Sequence, residues 1–167
     1  MPRRTHFVLL VSVVVAACAT AITAPEPSLE GLPEGLSVSL TVAPGQVNQH
    51  GPFTVKLDIT NTTDEVIRVV TGNGCLVIPH VLRNGMRIPF KGSLWGCTAA
   101  VTTHTFPPRE TRSRTWEMRA ELYAEHAGDV DGVAAPKGIY RVQAEFDTVP
   151  EPGSFQKPTI EQEIRVR

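Results

Sequence analysis

The chain has no excess of either charge: 16 Lys and Arg stand against 17 Asp and Glu, for a formal net charge of -1. A nucleic-acid binder normally gathers a basic excess on one face, so this balance argues against that class. No apolar run is long enough to serve as a permanent membrane span. Phe7 to Val15 falls well short of the roughly 20 residues that a bilayer requires. Helical periodicity is almost absent, and no internal repeat or low-complexity segment follows the N-terminal region. What is present is a foldable composition, 41% hydrophobic, punctuated by 14 Pro and 13 Gly. Many turns of this kind suit a β-rich protein better than a helix bundle. With 167 residues there is room for one domain with a real core and too little for two.

The N-terminus reads as an address. Arg3 and Arg4 precede the apolar run Phe7 to Val15, and small residues Ala16 and Ala17 lead into Cys18. A charged region, a short apolar region and a small-residue cleavage site describe a secretory signal. Val15-Ala16-Ala17-Cys18 resembles the bacterial lipobox, which implies cleavage before Cys18 and lipid on its sulfur and amine. Each buried methylene is worth about 0.8 kcal/mol, so two or more acyl chains make a durable anchor. The alternative is an ordinary secretory signal cut near Ala17 or Ala19. Removal of residues 1–17 takes Arg3 and Arg4 with it, leaving 14 basic against 17 acidic side chains. Such a chain has no basic patch to hold it to anionic lipid, so the membrane partner is reached through the lipid on Cys18.

With Cys18 assigned to lipid, Cys75 and Cys97 remain. In an oxidising compartment a disulfide is the economical reading; it closes a loop of about 23 residues and contributes on the order of 3 kcal/mol. The rival is a metal site, because His80 and His104 follow the cysteines as C-x4-H and C-x6-H. Those spacings are not the tight paired hooks of a zinc finger.

Residues 18–35 form the lipidated cysteine and a tether, extended by Pro25, Pro27 and Pro33, with an ordered N-terminal arm as the alternative. From Leu36 the pattern turns to period two. Leu36, Val38, Leu40 and Val42 alternate with polar residues, and Phe53, Val55, Leu57 and Ile59 do so more cleanly. Between these strands Ala43 to Pro52 reads as a turn, and Asn61 to Asp64 makes a polar turn before a strand at Glu65 to Thr71. Asn84-Gly85 between short apolar stretches signals a hairpin within His80 to Phe90. Arg112 to Met118 reads as a strand, although its alternation puts two arginines on the same side as Trp116. Glu121 to His126 reads as one helical turn. Tyr140, Val142, Ala144 and Phe146 mark a late strand, and Ile160, Ile164 and Val166 close the chain. The expected fold is an all-β antiparallel sandwich of about seven to eight strands spanning 36–167.

Three of these segments carry a family likeness. Phe53 to Asp64 (FTVKLDITNTTD), Thr115-Trp116-Glu117 and Gly138-Ile139-Tyr140-Arg141-Val142 together resemble the intracellular proteinase inhibitor (BsuPI-type) domain, over most of Leu36 to Arg167. The resemblance implies an immunoglobulin-like sandwich and, through the family name, inhibition of a serine protease. Pro108-Arg109-Glu110 stands where many relatives have Pro-Gly, and no inhibitory loop can be matched residue by residue.

A search for chemistry leaves the catalytic, metal and cofactor assignments at none. Gly92-Ser93-Leu94-Trp95-Gly96 lacks the spacing of a nucleophile elbow. Asp129-Val130-Asp131-Gly132 opens like a calcium loop without its later ligands. His50, His80, His104 and His126, with Met86 and Met118, are scattered rather than set at copper-ligand spacing. Asn61-Thr62-Thr63 matches a glycosylation sequon, but a bacterial lipobox implies no glycan. Leu94 and Trp95, inside the Cys75–Cys97 loop, form the candidate binding loop, with the alternative that Trp95 folds back to cap the sandwich. The expectation is a non-enzymatic, lipid-anchored module on the extracytoplasmic side of the cell envelope. Its partner would be an envelope protein, with inhibition of an extracytoplasmic serine protease as the alternative.

Overall fold

A computed structural model describes residues 29, 31–93, 96–123, 132–148 and 157–167 of the chain, and among these it contains twelve strands and no helix. Period two governs the first of them. In β1 (Leu36–Ala43), Val38, Leu40 and Val42 are buried while Thr41 and Ala43 face water. The stretch read as a turn after it contains a short strand, β2 (Gln46–Val47). β3 (Pro52–Asn61) buries Phe53, Val55, Leu57 and Ile59 as its alternation demands. β4 (Ile67–Thr71) follows, and then β5 (Val77–Arg83) and β6 (Met86–Ile88) form the expected hairpin. Arg83 pairs with Met86, leaving Asn84 and Gly85 at φ 51° and 79°. Both angles are positive, as the two-residue turn matching strand twist requires. The remaining strands are β7 (Phe90–Lys91), β8 (Thr102–Phe106), β9 (Thr111–Leu122), β10 (Val133–Ala134), β11 (Gly138–Phe146) and β12 (Thr159–Val166). Eight of the twelve have five residues or more, and among these β8 escaped the sequence reading; the other four have two or three.

One sheet runs β1-β3-β9-β10, with β7 also on β9, and the other runs β2-β12-β11-β5-β6. Neighbours are antiparallel except β2, which lies parallel to β12. A separate ribbon pairs β4 with β8 and touches the second sheet through a bridge between Thr71 and Thr148. This order, with β3 and β11 each held on both edges and the chain crossing between sheets, is that of an immunoglobulin-like sandwich.

The core lies between β3 and β9 on one side and β11, β12 and β5 on the other. Val55, Phe90, Val142, Ala144 and Ile164 are completely buried, and Trp116 is nearly so. Phe90 links the layers, with its ring centroid 6.1 Å from Phe53 and 5.0 Å from Tyr140. Each such side chain removed from water stabilises by roughly 1.5–3 kcal/mol. Tyr140, third residue of β11, donates its hydroxyl to the Pro136 carbonyl at 2.6 Å, the tyrosine corner of this architecture. Burial pushes its phenol pKa up, against the opposing effect of the Arg83 guanidinium, which lies 5.2 Å from the ring centroid.

A polar group sits just as deep at the other end of β3. Asn61 is wholly buried, and its Nδ2 donates to the carbonyls of Glu65 (2.7 Å), Phe106 (3.0 Å) and Pro107 (3.0 Å). Its Oδ1 accepts from the Thr63 amide at 2.9 Å and hydroxyl at 2.8 Å. Rather than lying in a solvated turn as read, Asn61 ends β3 and ties the β3–β4 turn to the β8–β9 connection. The sequon asparagine therefore has no free amide in the folded chain. Beside it Arg109 takes a left-handed φ of 58°, where glycine would be unstrained, and its Nε bonds Asp64 Oδ1 at 2.9 Å.

Two expectations change. Glu121 and Leu122 finish β9 and pair with Ala134 and Val133, so the helical turn read at Glu121 to His126 does not begin there. Cross-strand pairing outweighs a weak local preference; residues 124–126 lie outside the described residues. The last part of the tether also packs down. Leu29 and Leu32 rest partly buried against the core, and Thr62 donates its amide to Gly35 O at 2.8 Å. The leucines have apolar surface to cover, and the sandwich end supplies it.

Replacing Asn61 with Ala takes a buried donor from the Glu65, Phe106 and Pro107 carbonyls and the acceptor from the Thr63 amide, and is expected to cost about 2–3 kcal/mol in urea unfolding. Arg109→Gly relieves the left-handed conformation but gives up an exposed ion pair with Asp64 and a hydrogen bond to the Thr62 carbonyl, and it frees the unfolded chain. A stability within about 0.5 kcal/mol of wild type is expected by the same measurement.

Candidate functional site

The cysteines were the sharpest sequence signal. Cys75 and Cys97 form a disulfide with Cα atoms 5.4 Å apart. Cys75 is buried just ahead of β5, and its amide donates to Asn73 Oδ1 at 2.7 Å. Gly74 N, bonded to Thr98 O at 2.8 Å, holds the two chain segments together. The histidines that made metal an alternative are apart from it in role. His80 is on β5, while His104 on β8 meets Thr71 Oγ1 at 3.2 Å. Among the described residues no three of His, Cys, Asp and Glu gather as metal ligands. Thr71 is fully buried and its hydroxyl donates to Asn73 O, while His104 is partly open to water. Ser93 is likewise buried and donates to Phe90 O at 2.6 Å. Cys18, the loop residues Leu94 and Trp95, and Asp129 and Asp131 lie outside the described residues.

Two ionic groupings escaped the sequence reading. On β9, Glu121 is almost buried and receives Arg119 Nε at 2.6 Å, Lys91 Nζ at 3.5 Å and His50 Nδ1 at 3.6 Å. The Arg119 hydrogen bond, set against burial, holds its carboxyl below the usual range. On the outward face of β5, β11 and β12, Glu145 accepts from Arg87 and from Lys157 Nζ at 3.3 Å, and Lys157 also bonds Asp147. One row along, Glu161 accepts from Arg141 at 2.9 Å and Gln143 at 2.7 Å. His80 faces Glu145 at 3.8 Å from its Nε2, an atom that is buried without a hydrogen-bond partner. Burial first, then the Arg87 and Lys157 charges, push the His80 pKa down against the pull of Glu145. The Asp147 hydrogen bond pushes the Lys157 pKa up. The only trace of this network in the sequence is parity. Arg141, Gln143 and Glu145 alternate outward along β11, but their partners depend on register across three strands.

A third grouping explains the arginines that share a face with Trp116. Arg112 and Arg114 are exposed, and their guanidinium carbons stand 5.5 Å from the ring centroids of Phe106 and Trp116 respectively. The guanidinium groups rest over these rings while the residues stay exposed to water. Burial and these two guanidiniums push the pKa of His104 down.

No family model and no curated protein matches the chain. Among solved structures, a β-glucosidase from Listeria innocua with glucose bound is 14% identical over 78% of this chain and 16% of its own, at TM-score 0.44. Escherichia coli alpha-2-macroglobulin, from domain MG7 to the C-terminus, is 15% identical over 80% of this chain and 17% of its own, at TM-score 0.46. The beta-D-glucoside glucohydrolase of Trichoderma reesei is 12% identical over 79% of this chain and 19% of its own, at TM-score 0.40. The chain thus spans less than a fifth of each. Likeness at this level carries no argument, and the immunoglobulin-like assignment rests on the strand order.

The His80 environment predicts a pH dependence. Its folded pKa lies below the unfolded value of about 6.5, so the unfolded chain binds the proton first. The neutral-His contribution is then complete above that value and is lost as pH falls through it. Urea midpoints of wild type and His80→Gln should keep a constant gap above pH 7.5 or so. Below pH 6.5 wild type should lose ground to the variant.

Proposed function

We propose that the chain is a lipid-anchored binding module of the extracytoplasmic cell envelope, with lipid on Cys18 and a sandwich that engages an envelope protein without chemistry. The observation that carries this reading is the Cys75–Cys97 disulfide. A structural disulfide belongs to an oxidising compartment, and it leaves Cys18 as the remaining thiol of three, at the position where the lipobox resemblance needs it. The fold supports a binding role through its polar outer faces, which present side chains on rigid strands. Its buried Thr71 and Ser93 hydroxyls offer no accessible nucleophile at those positions. Inhibition of an extracytoplasmic serine protease stays as the alternative on the family resemblance alone.

In a bacterial host fed an alkynyl fatty acid, the full chain should take up label and sediment with membranes. Cys18→Ala should do neither, and an unlabelled wild type free in solution would sink the anchor. Cross-linked capture with the full chain in solubilised envelope should then return one protein in near-equal amount. A protease in that position would select the inhibitor alternative.

A further inference from the structure

The arginine pair on β9 points to a ligand. Arg112 and Arg114 pair across to Ile59 and Leu57, so both project on the core-facing side of their sheet, ahead of Trp116. Phe106 and His104 of the β4–β8 ribbon flank the pair on that side, and both arginines are exposed. Glu110 reaches Arg112 Nε at 3.3 Å and is itself half exposed. Among the described residues no carboxylate comes within 4.0 Å of Arg114. His104, the remaining titratable neighbour, faces the pair from the ribbon and is held toward its neutral form. The pair is therefore an under-neutralised positive stripe with its guanidinium groups held over aromatic rings. Such contact removes much of the entropy cost of ordering an arginine on binding.

The spacing selects the ligand. Residues two apart on a strand lie about 6.8 Å from one another, which is also the spacing of alternate carboxylates on an extended peptide. We propose that Arg112 and Arg114 dock an extended acidic segment of a protein partner carrying carboxylates at alternate positions, one per guanidinium. A carboxylate fits the planar guanidinium fork in a bidentate pair. This deepens the binding-module reading and rests on it.

The test is fluorescence anisotropy of the full chain in detergent against two capped, labelled decapeptides. One alternates Glu and Thr; the other has the same composition with its glutamates in a block. Binding of the alternating peptide at least tenfold tighter than the block isomer is expected at low salt, with a loss of tenfold or more in Arg112→Gln/Arg114→Gln. Glu110→Gln, which removes the competing carboxylate, should tighten binding two- to threefold, and it provides a readout should the double variant fail to fold. Arg68→Gln, on the opposite face of the ribbon, should leave affinity unchanged. Equal binding of the two isomers, or indifference to both the double variant and Glu110→Gln, overturns the proposal. Sedimentation of Cys18→Ala with phosphatidylglycerol vesicles, lost in the double arginine variant, would assign the stripe to lipid and overturn it too. If envelope capture succeeds equally with wild type and the double variant while no peptide binds, the acidic docking falls and the binding-module reading stands. If the alternating peptide binds as described while capture returns nothing, the docking stripe stands and an envelope protein as its partner falls.

Discussion

Everything in this domain depends on two strands that are paired along most of their length on both edges. β3 sits between β1 and β9, and β11 between β12 and β5, so neither can shift register without breaking two ladders. Their inward side chains face each other across the core, with Phe90 and Tyr140 filling the space between the layers. A slip of one residue in either strand would turn that whole set toward water. The hydrophobic effect supplies the energy here, and double pairing supplies the uniqueness.

At the ends of the sandwich, polar groups take over that role. The crossings between sheets leave carbonyls and amides without ladder partners, and buried groups of this kind must be satisfied. Asn61 satisfies several at one end through a single side chain, and the Tyr140 hydroxyl satisfies the Pro136 carbonyl near the start of β11. The disulfide performs the corresponding service beside β5 with a covalent bond. These three devices are not themselves apolar contacts, yet they determine how the chain enters and leaves the core.

The sequence revealed the parts of the fold that obey a period. β1, β3 and β11 were readable because each has one buried face, and Asn84-Gly85 was readable because few residue pairs accept two positive φ angles. Short strands such as β2, β7 and β10 have too few residues to show any period; they exist because a neighbour offers an edge. Asn61 looked like turn chemistry because a sequence cannot show that a side chain three bonds long will reach carbonyls 45 residues away. Leu29 and Leu32, among prolines and polar residues, looked like tether for a related reason: their apolar surface is covered by residues distant in the chain. The site is less legible still. The arginines beside Trp116 stood out in the alternation, but their aromatic supports and the thin supply of counter-charge follow from packing alone. The Glu145 network, assembled from three strands and a loop, leaves only a parity of polar residues behind.

The parallel pairing of β2 with β12 has a mechanical consequence. Arg165 N donates to Gly45 O, Arg167 N to Val47 O, and Gln49 N to Arg167 O, so a ladder of three bonds clasps the two segments side by side. When the chain is pulled between its N-terminal side and its C-terminus, the load runs along these parallel strands in opposite directions. The bonds are then stretched together in shear instead of being unzipped singly. A domain joined in this way yields late under tension, and β2, two residues long, acts as its mechanical clamp.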